Sequence, residues 1–141
     1  MVEMTPSFEL QIKALDEDHQ VLIDHANRIF DVLENIQDAD DGRDCEQLVS
    51  EFVKLSKQHF AREEALLKSV DYPDVGQHRD HHRSLYSKMD HLIEFSSAAR
   101  ENPLARESLK KELQYFLLDD VITADMEFKD FINEKEDPSS S

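Results

Sequence analysis

Two pairs of side chains, His59 with Glu63 and His78 with His82, lie four residues apart, so a helix would project both members of each pair from one face about one turn apart. Imidazole and carboxylate donors at that spacing suit iron, manganese or zinc. With no cysteine among them, they argue against iron–sulfur clusters and thiolate-bound zinc. One such pair is common on helices that bind nothing. Here, however, His19 upstream and Asp120 and Asp125 downstream also fall on apolar stripes where leucine or isoleucine would pack better. Buried ionisable groups are costly unless paired or metal-bound, so their convergence calls for a cation. The donors are too many for one tetrahedral ion, and two cations bridged by carboxylates fit them better.

Such donors meet only if separate elements carry them to the same depth. Leu15, Leu22, Ile23, Ala26, Ile29, Phe30, Leu33 and Ile36 recur at three and four, predicting a first helix from about Leu15 to Gln37. The stretch DADDGRD reads as a turn with capping residues. After it, Leu48, Phe52, Leu55, Phe60, Leu66 and Leu67 trace a second helix that includes His59 and Glu63. Pro73 breaks the period, and Asp74 is placed to cap a third helix that ends near Ala98. Leu104, Leu109, Leu113, Phe116, Leu117, Val121, Ala124 and Phe128 define a fourth. Four such helices on short connections predict an all-α fold, an antiparallel up-down-up-down four-helix bundle over residues 15–133. Residues 1–14 read as an N-terminal extended arm and residues 134–141 as a polar tail or linker.

Bulk properties agree with this reading. A chain of 141 residues with only two glycines suits one helical domain. Sixteen basic residues against thirty-two acidic ones give a net charge of −16, which repels nucleic acid and anionic lipid headgroups. No apolar run approaches the roughly 20 residues needed to span a bilayer. The lone Cys45 follows a polar stretch where a loop is expected and has no internal disulfide partner, so a cytoplasmic location is expected.

The segments LDEDHQVLIDHANRI, HFAREEALL, DYPDVGQHRDHHRSL and LQYFLLDDVITAD, which together touch all four helices, make the chain resemble the bacteriohemerythrin family. The resemblance implies an oxo- or hydroxo-bridged di-iron centre. His19 and His59 would serve one iron and His78 and His82 the other, with Glu63 and Asp125 as bridges. The main departure from the family pattern is Asp120, which stands where a fifth histidine is expected; a smaller one is the missing N-terminal tryptophan, with Phe8 expected in part of its space. Direct ligation by Asp120 is the preferred expectation, with a water in its place as the alternative. An added anionic ligand would favour ferric over ferrous iron.

The resemblance further implies a non-haem oxygen-binding domain rather than an enzyme. Its partner would be dioxygen or another small oxidant, and the altered ligand position and the polar ending favour the role of an oxygen or redox sensor. A C-terminal signalling output domain, such as a diguanylate cyclase, fits that role. The alternatives are oxygen carriage or storage, and a di-iron enzyme that scavenges peroxide or nitric oxide. His25, His81 and His91 lack ligand spacing and read as structural or solvent-facing, and Glu64 reads as a solvated charge.

Overall fold

Helix α1 spans Lys13–Glu34 and turns Leu15, His19, Leu22, Ile23, Ala26, Ile29 and Leu33 inward, the three-and-four spacing that makes an amphipathic helix. The computed structural model describes residues 12–36 and 39–136, so most of the arm expected over residues 1–14, with Phe8, lies outside the described residues, as does the tail from residue 137.

Helix α2, Ala39–Ser69, begins earlier than the sequence suggests. Residues 40–44, expected as a turn, are helical, with Asp40 and Asp41 in the first turn where their charge opposes the helix dipole. Aspartate favours turns and helix N-termini alike, so composition could not separate the two. As a result Cys45 is not a loop thiol: it is fully buried in the core, and burial pushes its thiol up to about 11.

The break after α2 is built by the backbone. Asp71 takes a left-handed conformation (φ 56°), while Asp71 N–H donates to Lys68 O at 3.2 Å and Tyr72 N–H to Leu67 O at 2.9 Å. These two bonds satisfy carbonyls at the helix end in a Schellman arrangement. Asp74 occupies the N-cap of α3, Val75–Ser84, but its side chain makes no capping bond. The third helix of the bundle continues as α4, Tyr86–Ala98, after one interrupting residue, Leu85, whose carbonyl still accepts from Met89 N–H at 3.0 Å.

Asn102 then caps α5, Pro103–Tyr115, by accepting from Leu104 and Ala105 N–H. The fourth helix does not stay α-helical. A π-helical segment runs over Phe116–Thr123, a 3₁₀ turn over Met126–Phe128, and α6 over Lys129–Glu136. The helix therefore persists past Phe131, where fraying is expected from the sequence.

Helix α1 packs on α2, α2 on α4, α4 on α5 and α5 back on α1, which closes the antiparallel four-helix bundle. Among the described residues its interior holds two apolar clusters. The larger includes Leu22, Ile29, Phe52, Phe60, Leu85, Leu113, Phe116 and Val121, and the smaller gathers Ile12, Leu15, Leu67, Phe128 and Ile132. Among the described residues no helix is long and apolar enough to cross a membrane.

Two substitutions at helix ends should act with opposite sign in urea titrations. Asp71→Gly removes the penalty of a left-handed β-carbon and should raise stability by about 1 kcal/mol. Asn102→Ala removes an N-cap and should lower it by about 1 kcal/mol. A loss of stability in Asp71→Gly would show that the aspartate side chain contributes more than its backbone strain costs.

Candidate metal centre

Each helix of the bundle passes from one apolar cluster to the other and carries its polar groups in between. On α1, His19 lies between Leu15 and Leu22; on α2, His59 and Glu63 lie between Phe52 and Leu67. On α3, His78 and His82 precede Leu85, and in the fourth helix Asp125 lies between Ile122 and Phe128. All six side chains are buried, with His78 the most accessible at 5%.

Their donor atoms converge in two groups. His19 Nε2 and His59 Nε2 lie 3.2 Å apart, and Asp125 Oδ2 is 2.8 Å from the first and 3.0 Å from the second. The other group joins Glu63, His78, His82 and Asp125. There Glu63 Oε1 lies 3.6 Å from His78 Nε2 and 3.4 Å from His82 Nε2, and Asp125 Oδ1 lies 3.3 Å from His78 Nε2. Asp125 thus offers one oxygen to each group. Glu63 Oε1 also lies 3.3 Å from His59 Nε2, so both carboxylates stand between the two positions.

Several of these atoms have no hydrogen-bond partner: both oxygens of Glu63, and Nε2 of His78 and of His82. Buried acceptors left unpaired are costly, and a cation at each group would satisfy them together. Four imidazoles and two carboxylates, with the only cysteine elsewhere in the core, are a donor set for iron, manganese or zinc. The residues present therefore fit a pair of such ions.

Asp120, expected as a further ligand, is not brought into either donor group. Its Oδ2 lies 2.7 Å from Lys88 Nζ on α4, and its backbone carbonyl accepts from His81 Nε2 at 2.9 Å. The reason is register. In the π-helical segment both Val121 and Ile122 are buried, so the inward stripe slips by one residue and next reaches Asp125 rather than Ala124. Asp120 therefore stands at the edge of that stripe, with its side chain directed to Lys88.

Charges around the centre are strongly perturbed. Burial alone would push the His59 imidazole down, but Glu63, Asp125 and Asp18 outweigh it and hold the group well above its ordinary range. His78 is likewise opposed by burial and raised to about 9 by Asp125 and Glu63. Burial works against the Asp125 carboxylate too, yet hydrogen bonds from His19 and His59, with the His78 imidazole close by, hold it well below its ordinary value. Protons on imidazole thus supply the positive charge that a cation would bring.

A supporting layer escaped the sequence reading. His59 Nδ1 pairs with Asp18 Oδ2 at 3.0 Å, and Arg62 donates to both oxygens of Asp18, at 2.8 and 2.6 Å. Against the opposing effect of burial, His59 and Arg62 hold the Asp18 carboxyl at about 2. Asp18 orients the His59 ring so that Nε2 faces the centre. Spacing could not reveal this contact, because it joins residues 41 apart on different helices.

Phe60 stacks on His82 with centroids 3.9 Å apart, and Phe128 meets His78 edge-on at 5.1 Å. Glu64 is only partly solvated, with Oε1 3.9 Å from His82 Nδ1. His25 pairs with Glu51 on the surface, and His91 is exposed. A cleft of about 230 Å³ lined by Tyr72, Asp74, Gln77, His78, His81, Ala124 and Glu127 brings solvent to the His78 side. A larger groove near Arg28, Asp31 and Gln47 is lined by none of the six residues.

Fold and site together define a metal-binding four-helix bundle whose centre is built from histidine and carboxylate. The family description "Hemerythrin HHE cation binding domain" matches residues 10–132, and the chain belongs to that hemerythrin family. It is 26% identical over 123 residues to a myohemerythrin of Theromyzon tessulatum, covering 87% of each chain. It is also 29% identical over 83 residues to a bacteriohemerythrin of Clostridium acetobutylicum, covering 59% of this chain and 64% of that one.

Two outcomes follow for the metal-free protein and its loading. The raised imidazoles contribute stability that is complete below the unfolded value of roughly 6.5 and fades as pH rises through the folded value, about 9 for His78. Metal-free protein should therefore melt at progressively lower temperature from about pH 6.5 to 9, while metal uptake releases protons and tightens over the same window. A flat melting profile there would contradict the assignment. Separately, Asp18→Ala should weaken metal binding by about 10–100-fold in competition with a chelator, without loss of the fold.

Proposed function

We propose that this chain is a di-iron oxygen-binding module that acts as an oxygen or redox sensor. The observation that carries the reading is the pair of buried donor groups that share Asp125, with Glu63 of one group reaching His59 of the other and with unpaired oxygens and nitrogens among them. His19, His59, Glu63, His78, His82 and Asp125 would hold the metals, and bound iron would supply the electrons and the open position that dioxygen binding needs. The chain's own residues do the rest. Glu63 and Asp125 balance charge, Asp18 fixes one imidazole, and Phe60 and Phe128 limit water at the His78 and His82 edges.

Sensing is preferred over carriage because Asp125 sits between a π-helical segment and a 3₁₀ turn, where the regular hydrogen-bond ladder is interrupted. A change in what Asp125 holds therefore acts on the part of the bundle least braced by α-helical bonding. The proposed partner is dioxygen or another small oxidant, with a signalling output domain as the receiver, and the proposed location is the cytoplasm.

The test is an iron assay with optical spectra and amide hydrogen exchange, comparing reduced protein kept under argon with the same protein after exposure to air. The sensor reading expects about two irons per chain, a charge-transfer band that appears in air, and altered exchange over residues 116–128. Reversible spectral change with unaltered exchange would favour carriage. Sustained peroxide consumption would favour a scavenging enzyme.

A further inference from the structure

Asp120 lies five residues before Asp125 on the fourth helix and outside both donor groups, which raises the question of what holds its carboxylate there. Asp120 is held in two ways. Its side chain forms the 2.7 Å ion pair with Lys88 while only 13% exposed, and its carbonyl is tied to His81. The Lys88 ammonium also lies 5.8 Å from the centre of the Tyr115 ring. An Asp120 without that partner would be a partly buried, unbalanced anion on the same helix as Asp125. We propose that Lys88 is a positioning residue: by pairing with Asp120 it keeps that carboxylate off the metal and leaves the His78 and His82 position with only Glu63, His78, His82 and Asp125 as protein ligands.

This rests on the paired-cation reading above and specifies its coordination. Arginine at position 88 should preserve the arrangement, since it keeps the charge. Methionine should abolish it, since it keeps the aliphatic length without the charge. With Lys88 neutralised, Asp120 loses its ion-pair partner and turns to the metal as an additional anionic ligand.

The experiment titrates Co²⁺ into the full metal-free chain and follows its visible absorption, whose intensity falls as coordination number rises. Wild type, Lys88→Met, Lys88→Arg, Asp120→Ala and the Lys88→Met/Asp120→Ala double variant are compared. Lys88→Met is expected to bind Co²⁺ about tenfold more tightly with a weaker absorption band, and the double variant to return to wild-type behaviour. Lys88→Arg and Asp120→Ala should match wild type in both readouts. The inference is overturned if Lys88→Met leaves the spectrum unchanged, or if Asp120→Ala alone weakens binding about tenfold, which would make Asp120 a ligand in the loaded protein. Fewer than two Co²⁺ bound by wild type would overturn the paired-cation reading itself, and this inference with it.

Discussion

Two carboxylates and four imidazoles lie buried against one another where the bundle could have placed leucines. Ionised acids in such a place are tolerable only with matching positive charge at contact distance, because solvent cannot screen them. In the protein alone, that charge comes from protons on His59 and His78. A proton satisfies one contact at a time, whereas a divalent cation satisfies several, and this is why Glu63 keeps both oxygens without hydrogen bonds. The geometry of the four helices follows from the need to bring these donors to one level.

Around that level the architecture is simple. Apolar residues above and below the centre give each helix its stripe, and the donors replace a single layer of it. Since the layer is continuous with the packing on both sides, its side chains have little freedom to move, and Phe60 and Phe128 further confine His82 and His78. Asp18 and Arg62 lie on the outer side of the same layer and hold His59 from behind. Position is thus set by ordinary core packing, and chemistry by the few residues that depart from it.

How much of this could be read beforehand depended on whether the local backbone was a regular α-helix. His59 with Glu63 and His78 with His82 could be paired because four residues on an α-helix return to one face. His19 was legible as a polar residue on an apolar stripe. Asp120 was misplaced because the π-helical register between Phe116 and Thr123 shifts the inward face by one residue, and no apolar pattern announces that shift. The turn assigned to DADDGRD, residues 38–44, gave way to helix from Ala39 because acidic residues suit a first helical turn equally well. Asp18 and Arg62 were invisible for a different reason: both read as surface charge on their own helices, and only packing brings them together.

The unequal division of the core has a further implication. Ile12, Leu15, Leu67, Phe128 and Ile132 form a patch too small to be self-sufficient, and the donor layer separates it from the main hydrophobic mass. That end of the molecule is therefore coupled to the remainder chiefly through charged and coordinating groups, so it can open as a cooperative unit of its own while the opposite end stays folded. Occupancy of the centre would then govern how often the segments around Ile12 and Ile132 come loose, and so how readily proteases reach them.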